Sequence, residues 1–495
     1  MAEAQQQSQQ AAAVTEETRE QASALTALLQ KEMRQPEDRI KTAVETLASQ
    51  CLANAKLVSG DVLETINAMI AGIDKKLSAQ VNKIMHHPDF QKLEGAWRGL
   101  HYLVNNTESG TDMKLRVFNC SKDDMRKTLK KYKGTAWDQS PLFKAIYESE
   151  YGTPGGQPFG ALIADYEFDH TAPDMEVLEG MAQVAAAAHA PLMTAPAPNL
   201  FNMESWQELS KPRDLSKIFQ TADYARWRSF RQSDDARYVG LCMPRFLGRM
   251  PYGEKTNPVE AFAFEEDTEG AEHGNYLWCN AAYAMARNIN RAFKNYGWCA
   301  SIRGTESGGI VENLPTHTFP TDDGGVDMKC PTEIAITDRR EKELSDNGML
   351  ALCHYKNTDY AVFFGGQSAH SPQKFHDPDD QANANLSARL PYMFACCRFA
   401  HYLKCMVRDK IGSLKSRQDM STMLNDWIMN YVEPDETANE RRKAERPLAA
   451  AKVVVEDIEG DPGNYRAKFL LRPHFQLEGM TVSMSLVSKM PGAGG

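Results

Sequence analysis

The dipeptide Gly-Lys occurs nowhere in the 495 residues, so the chain has no Gly-x-x-x-x-Gly-Lys-Ser/Thr loop whose backbone amides could cradle a nucleotide's phosphates. His-Glu-x-x-His and Gly-x-Ser-x-Gly are missing too, which removes the zincin helix and the strained serine elbow. The ten cysteines, at 51, 120, 242, 279, 299, 330, 353, 396, 397 and 405, include no Cys-x-x-Cys pair. Scattered in this way they predict reduced thiols rather than a zinc or dithiol motif. An excess of positive charge is also lacking: 56 Lys plus Arg stand against 66 Asp plus Glu, a net charge of -10. That balance disfavours nucleic acid as a partner. No apolar run approaches the roughly 20 residues that span a bilayer, and Met1-Ala2-Glu3-Ala4-Gln5-Gln6-Gln7 lacks the basic-then-apolar order of a signal peptide. The reading at this level is a cytoplasmic protein with no membrane insertion, no metal and no cofactor.

What is present is length and alternation. At about 100 to 200 residues per domain the chain holds two to four packed units. Residues 1–13 are Gln, Ala and Ser in low-complexity order. Leu25, Leu28 and Leu29, then Ile40, Val44 and Leu47, recur at helical spacing around Pro36, so residues 1–58 read as an arm that starts disordered and becomes helical. A mixed α/β (α+β) body in two lobes is expected over 59–432. Its first helix carries Val62, Ile66, Ile70, Ile73, Leu77, Val81 and Ile84, and a second starts at Pro88. Strand-like runs follow at Leu115–Asn119, Gly160–Ala164, Tyr238–Met243, Glu333–Thr337 and Ala361–Phe364, among helical stretches that include Tyr276–Asn295 and Gln381–Asp409.

The segment 433–447 is charged, carries two prolines and reads as a linker. Beyond it, 448–495 holds three strand patterns, the first two joined by Gly460-Asp461-Pro462-Gly463-Asn464. Val453, Val454 and Val455 lie in the first strand. In the second, Tyr465, Ala467, Phe469 and Leu471 share a face, and in the third Val482, Met484 and Leu486 do.

Candidate chemistry is thin. Ser307, in the loop Gly304–Gly309, has no neighbouring base in sequence, and a glycine turn explains the loop better. His376-Asp377-Pro378-Asp379-Asp380 lacks the glycine and distal Glu of a calcium loop and reads as an acidic helix start. Lys122–Lys133 is basic, but Asp123, Asp124, Met125 and Leu129 make it an ordinary solvated helix. His86, His87 and His401, and Trp97, Trp206, Trp227, Trp278, Trp298 and Trp427, read as packing residues. Two competing functions stay open on these residues: an α/β hydrolase using Ser307 or a His with Asp377, and a soluble adaptor or coat protein that binds by adding strands.

Several long strings resemble those of the large contractile sheath subunit of bacterial type VI secretion systems, the TssC/VipB family. They are His87–Leu100, Phe159–Phe168, Arg249–Gly253, Tyr296–Cys299, Leu314–Phe319, Pro331–Glu341 and Leu471–Gly479. The resemblance runs over roughly Leu57 to Pro491. It implies a core similar to contractile phage tail sheaths, and a heterodimer with a small sheath subunit of the TssB/VipA type. It further implies copies of this chain polymerised around an inner tube protein, a baseplate as the start of assembly, and recycling by an AAA+ ATPase of the ClpV type. It also implies a helix near Asp338, Arg339, Arg340 and Glu341 against the tube, and no catalysis by this chain. The C-terminal strands are expected to join neighbouring subunits into shared sheets.

Overall fold

A computed structural model describes residues 62–474 and 476, apart from 212–213, 269, 271–272, 322, 411–415, 436 and 458–464. The arm expected over 1–58 and the strand pattern with Val482, Met484 and Leu486 lie outside the described residues. The chain divides into two compact units. One takes in the chain up to Lys92 together with Met250–Tyr276, and the other Leu93–Arg249 together with the chain from Leu277 on.

The first unit is built on α1 (Val62–Met85), the helix foreseen from the apolar spacing, and the start of α2 (Pro88–Asn105). Polar side chains of α1 hold the 250–276 segment. Asn82 Nδ2 donates to the Glu265 carbonyl at 3.0 Å, and its Oδ1 accepts from the Asp267 amide at 3.3 Å.

In the second unit a six-stranded sheet runs in the order β1 (Leu162–Phe168), β2 (Leu192–Pro196), β3 (Val239–Met243), β5 (Met349–His354), β6 (Ala361–Phe363), β4 (Ile310–Val311). The first four are parallel, and β5–β6 and β6–β4 are antiparallel. Central parallel strands are covered on both faces and therefore read as continuous apolar runs; β2 and β3 are buried at every position. The pleat divides their side chains. Val239, Leu241 and Met243, with Met349 and Ala351, enter a core completed by α4 (Ala172–Ala188), Trp206 and Trp227. Cys242, Leu350 and Leu352 enter another, completed by α5 (Ala281–Tyr296), Phe246 and Phe363.

Some expectations are corrected. Leu115–Asn119 is not a strand: it has no ladder partner among the described residues, and Val117 and Phe118 are about two-thirds exposed. High β-propensity records fit to a half-buried pleated surface, and here that surface is missing. Glu333–Thr337 is not a strand either, with only a single bridge beside it, Phe246 to Thr332. The helix expected over Gln381–Asp409 is two, α7 (Pro378–Ser387) and α8 (Leu390–Arg408). Arg389 between them is extended, with φ -98° and ψ 126°, near the proline at 391 that starts α8. Trp97 is not packed but 65% exposed on α2, next to exposed Leu93.

Candidate assembly surfaces

The C-terminal strands form a hairpin of their own, separate from the six-stranded sheet: β7 (Leu448–Asp457) antiparallel to β8 (Tyr465–Pro473). Val453 lies opposite Phe469, Val454 opposite Lys468, and Val455 opposite Ala467. One face carries Ala451, Val453, Val455, Ala467 and Leu471. It packs on Phe399 and Leu403 of α8, on Leu424 and Ile428 of α9 (Arg417–Met429), and on Trp298. Leu448 and Val453 are fully buried there, and each contributes about 1.5–3 kcal/mol. The other face is wet: Lys468 pairs with Glu456 at 2.8 Å, and Leu470 is exposed. Phe469 shares the packed face yet is more than a third exposed.

The segment expected as a charged linker is a closed excursion. It carries the short helix α10 (Glu440–Glu445), and Glu433, buried at its start, accepts from Arg442 at 2.7 Å and Arg446 at 3.4 Å. The chain then returns so that Leu448 bridges Val432. Its charges neutralise one another, and the hairpin begins where the chain comes back to the end of α9.

The two edges of the hairpin differ. Asn425 on α9 uses its carboxamide as a strand would: Nδ2 donates to the Val453 carbonyl at 2.7 Å and Oδ1 accepts from the Val453 amide at 2.8 Å. Both main-chain groups of Val453 therefore point away from β8, which makes Val453–Phe469 a non-hydrogen-bonded pair of the ladder. By the same alternation the amides and carbonyls of Ala467, Phe469 and Leu471 point outward on the far side of β8. Among the described residues no backbone bond from outside the hairpin reaches them. The edge of β7 is covered at Val453, and among the described residues the edge of β8 is open. The side chain at Asn425 was not singled out in sequence, where nothing marks an Asn within a helix as a strand cap.

The helix α6 (Asp338–Asp346) carries the four candidate tube-facing residues. Asp338 and Arg339 are exposed, the Arg339 side chain to 91%. Arg340 turns back, donating to Glu343 and to the Lys211 carbonyl, both at 2.6 Å. Glu341 is half-buried, and burial pushes its carboxyl up despite the nearby Arg303. Leu344 anchors the helix in the core.

On α1, Ile70, Leu77 and Ile84 are about half exposed. Spaced by seven residues, they lie along one stripe of the helix. The Ser307 hydroxyl donates to the Glu440 carboxylate at 3.2 Å, tying its loop to α10. His401 is buried with Nε2 on the Ala188 carbonyl. Among the described residues no group of three His, Cys, Asp or Glu side chains could hold a metal ion, and no helix is long and apolar enough to cross a membrane.

Among the described residues the arrangement leaves three surfaces uncovered: a strand edge, a charged helix start and an apolar stripe. Comparison with known proteins identifies the family. The EvpB/VC_A0108 tail sheath N-terminal domain matches residues 67–370, and the tail sheath gpW/gp25-like domain matches residues 379–490. Over 480 residues the chain is 61% identical to the type VI secretion system sheath protein TssC1 of Pseudomonas aeruginosa, covering 97% of this chain and 96% of that protein. Among solved structures it is similar to the anti-feeding prophage baseplate, with 10% identity, 76% and 83% of the two chains covered and a TM-score of 0.39. It is also similar to the contracted helical sheath of that prophage, with 12% identity, 63% and 67% covered and a TM-score of 0.32. The chain belongs to the VipB tail sheath family, the sheath proteins of type VI secretion.

Proposed function

We propose that this sheath subunit joins its neighbours through the open edge of β8, and that the hairpin β7–β8, with the strand pattern around Val482, Met484 and Leu486, is the link of a contractile lattice. The observation that carries this reading is the asymmetry of the hairpin, one edge covered by Asn425 and the other offering the amides and carbonyls of Ala467, Phe469 and Leu471. At about 1 kcal/mol net per hydrogen bond, a strand added there contributes a few kcal/mol per junction, and a lattice multiplies it. Such a junction can persist while the bodies it connects rotate.

The partners in this reading are a small sheath subunit, an inner tube, a baseplate and a recycling AAA+ ATPase. The small subunit takes the apolar surface that this chain leaves exposed, such as the stripe of α1. The tube faces Asp338 and Arg339. Work comes from a metastable packing that relaxes to a lower one, this chain hydrolyses nothing, and assembly takes place in the cytoplasm.

Phe469→Pro tests the link. Proline removes an amide hydrogen, and at position 469 that hydrogen faces outward, so the hairpin ladder keeps its bonds while the docking edge loses one. Phe469→Ala controls for the lost ring. Electron microscopy of chain coexpressed with its small partner should show tubes with Phe469→Ala and few or none with Phe469→Pro, the heterodimer surviving in both. Full-length tubes with Phe469→Pro would sink the proposal.

A further inference from the structure

A polar cavity of about 250 Å³ opens beside the C-terminal half of α5. Arg291 and Asn295 line it from the helix, Ser301, Thr305 and Glu306 from the loop that follows, and Glu312 from just beyond β4. Gly297, left-handed at φ 76°, ends α5 and turns the chain towards that loop. Arg291 fastens loop and strand to the helix, donating from Nη2 to the Gly308 carbonyl at 2.7 Å and the Ile310 carbonyl at 2.9 Å. The cavity has room for one side chain or a few waters, not for a helix. The open edge of β8, the start of α6 and the stripe of α1 make no use of it.

Its charges do not balance in depth. Arg287, one turn before Arg291, is 7% exposed and donates to the Ile310 carbonyl at 2.9 Å. Both guanidiniums face one carboxylate, Glu312, at 3.6 Å for Arg287 and 3.8 Å for Arg291. Those distances are too long for hydrogen bonds, and the Glu312 side chain is half exposed. Burial, and then the Arg287 charge, push the Arg291 guanidinium down, and Glu312 offsets them only in part. Glu306 is exposed and forms no ion pair among the described residues. Water and salt screen such outer carboxylates more than they screen the buried arginines, so the interior favours an anion. The Asn295 carboxamide and the Ser301 and Thr305 hydroxyls have no hydrogen-bond partner among the described residues, and each can donate to an oxyanion.

We propose that this cavity receives an Asp or Glu side chain from a second copy of this chain in the sheath lattice. Arg291 anchors the incoming carboxylate through the charge-assisted bond that Glu312 leaves unmade, and Asn295, Ser301 and Thr305 complete its hydrogen bonds. A chain of net charge -10 presents carboxylates in excess to its neighbours, and a site backed by two arginines selects one of them by charge complementarity. The proposal rests on the lattice of copies inferred above and is independent of which strand edge links them.

The test uses the chain coexpressed with its small partner and assembled into tubes from a mixture of isotopically heavy and light chain. Glu306→Lys places an amine at the cavity, at an exposed position whose side chain the fold does not use. A water-soluble carbodiimide then joins that amine to any carboxylate in contact with it. Peptide mass spectrometry should find the introduced amine bonded to an Asp or Glu in heavy–light pairs, which mark a bond between copies, and the pairs should be lost from dispersed heterodimers. Tubes that carry no heavy–light pair, with crosslinks only inside one chain or only to the small subunit, overturn this proposal and leave the β8 link standing. Loss of tubes in Glu306→Lys overturns it as well, because an added cation favours entry of a carboxylate. In wild-type tubes the same reagent should join neither Glu306 nor Glu312 to a lysine of a neighbour; such a bond would show that the cavity takes a cation, and would overturn the assignment without any variant.

Discussion

His401 shows what one buried side chain does to the pH response of the protein. It is 2% exposed, and Nε2 lies 2.8 Å from the Ala188 carbonyl, while Arg398, His189 and Lys404 surround it with positive charge and Tyr151 packs edge-on against the ring. Burial, assisted by those charges and opposed by the Ala188 bond, pushes its pKa down to about 4. The unfolded chain takes up this proton near pH 6.5 and the native one does not, so stability is lost as pH falls from 6.5 towards 4. The slope is at most about 1.4 kcal/mol per pH unit, or about 3 kcal/mol over the window. His401→Gln keeps a donor for the Ala188 carbonyl and cannot titrate. Denaturant midpoints measured at pH 6.5 and 4.5 should therefore fall less in the variant than in the wild type. Equal falls in both would remove His401 from the acid response.

At the scale of elements, α6 separates residues that four letters of sequence present together. Asp338-Arg339-Arg340-Glu341 is uniformly charged as a string, yet only Asp338 and Arg339 face solvent, whereas Arg340 and Glu341 are held against the body. Changing Glu341 therefore tests folding as much as docking. The double change Asp338→Asn with Arg339→Glu alters the outward face, and should cost about 1 kcal/mol, because the residues are exposed and lose a helix-end interaction and the weak Arg339–Glu343 ion pair at 3.6 Å. If this face meets the tube, sheaths assembled around the tube should be shorter by electron microscopy and secretion should fall, with the melting temperature almost unchanged. Wild-type sheath length and secretion in the variant would move the tube contact elsewhere.

For the whole molecule the issue is incompleteness. An open strand edge on β8, an apolar stripe on α1 and an exposed Trp97 are liabilities in a monomer. The chain expressed without its small partner should form mixed aggregates on size-exclusion chromatography. Replacing Ile70, Leu77 and Ile84 together with Gln should reduce that aggregation and also abolish co-purification of the small sheath subunit. A monodisperse wild-type monomer, or a triple variant that still pulls down the partner, would count against the stripe as a docking face.

Much of this was legible in the letters because it depends on local periodicity. The helical spacing from Val62 to Ile84 became α1, and the run Tyr238–Met243 became a central buried strand. The strands on either side of Gly460–Asn464 became the hairpin β7–β8 with its alternating faces. The quoted strings fixed the family, since side-chain order over long stretches survives as identity. What required the tertiary structure was every decision about partners in space. Leu115–Asn119 has the composition of a strand and no neighbour to pair with. Asn425 closes one hairpin edge across 28 residues of sequence. A hydrogen bond depends on distances of about 3 Å, and sequence periodicity encodes which face a residue occupies but not what stands opposite it.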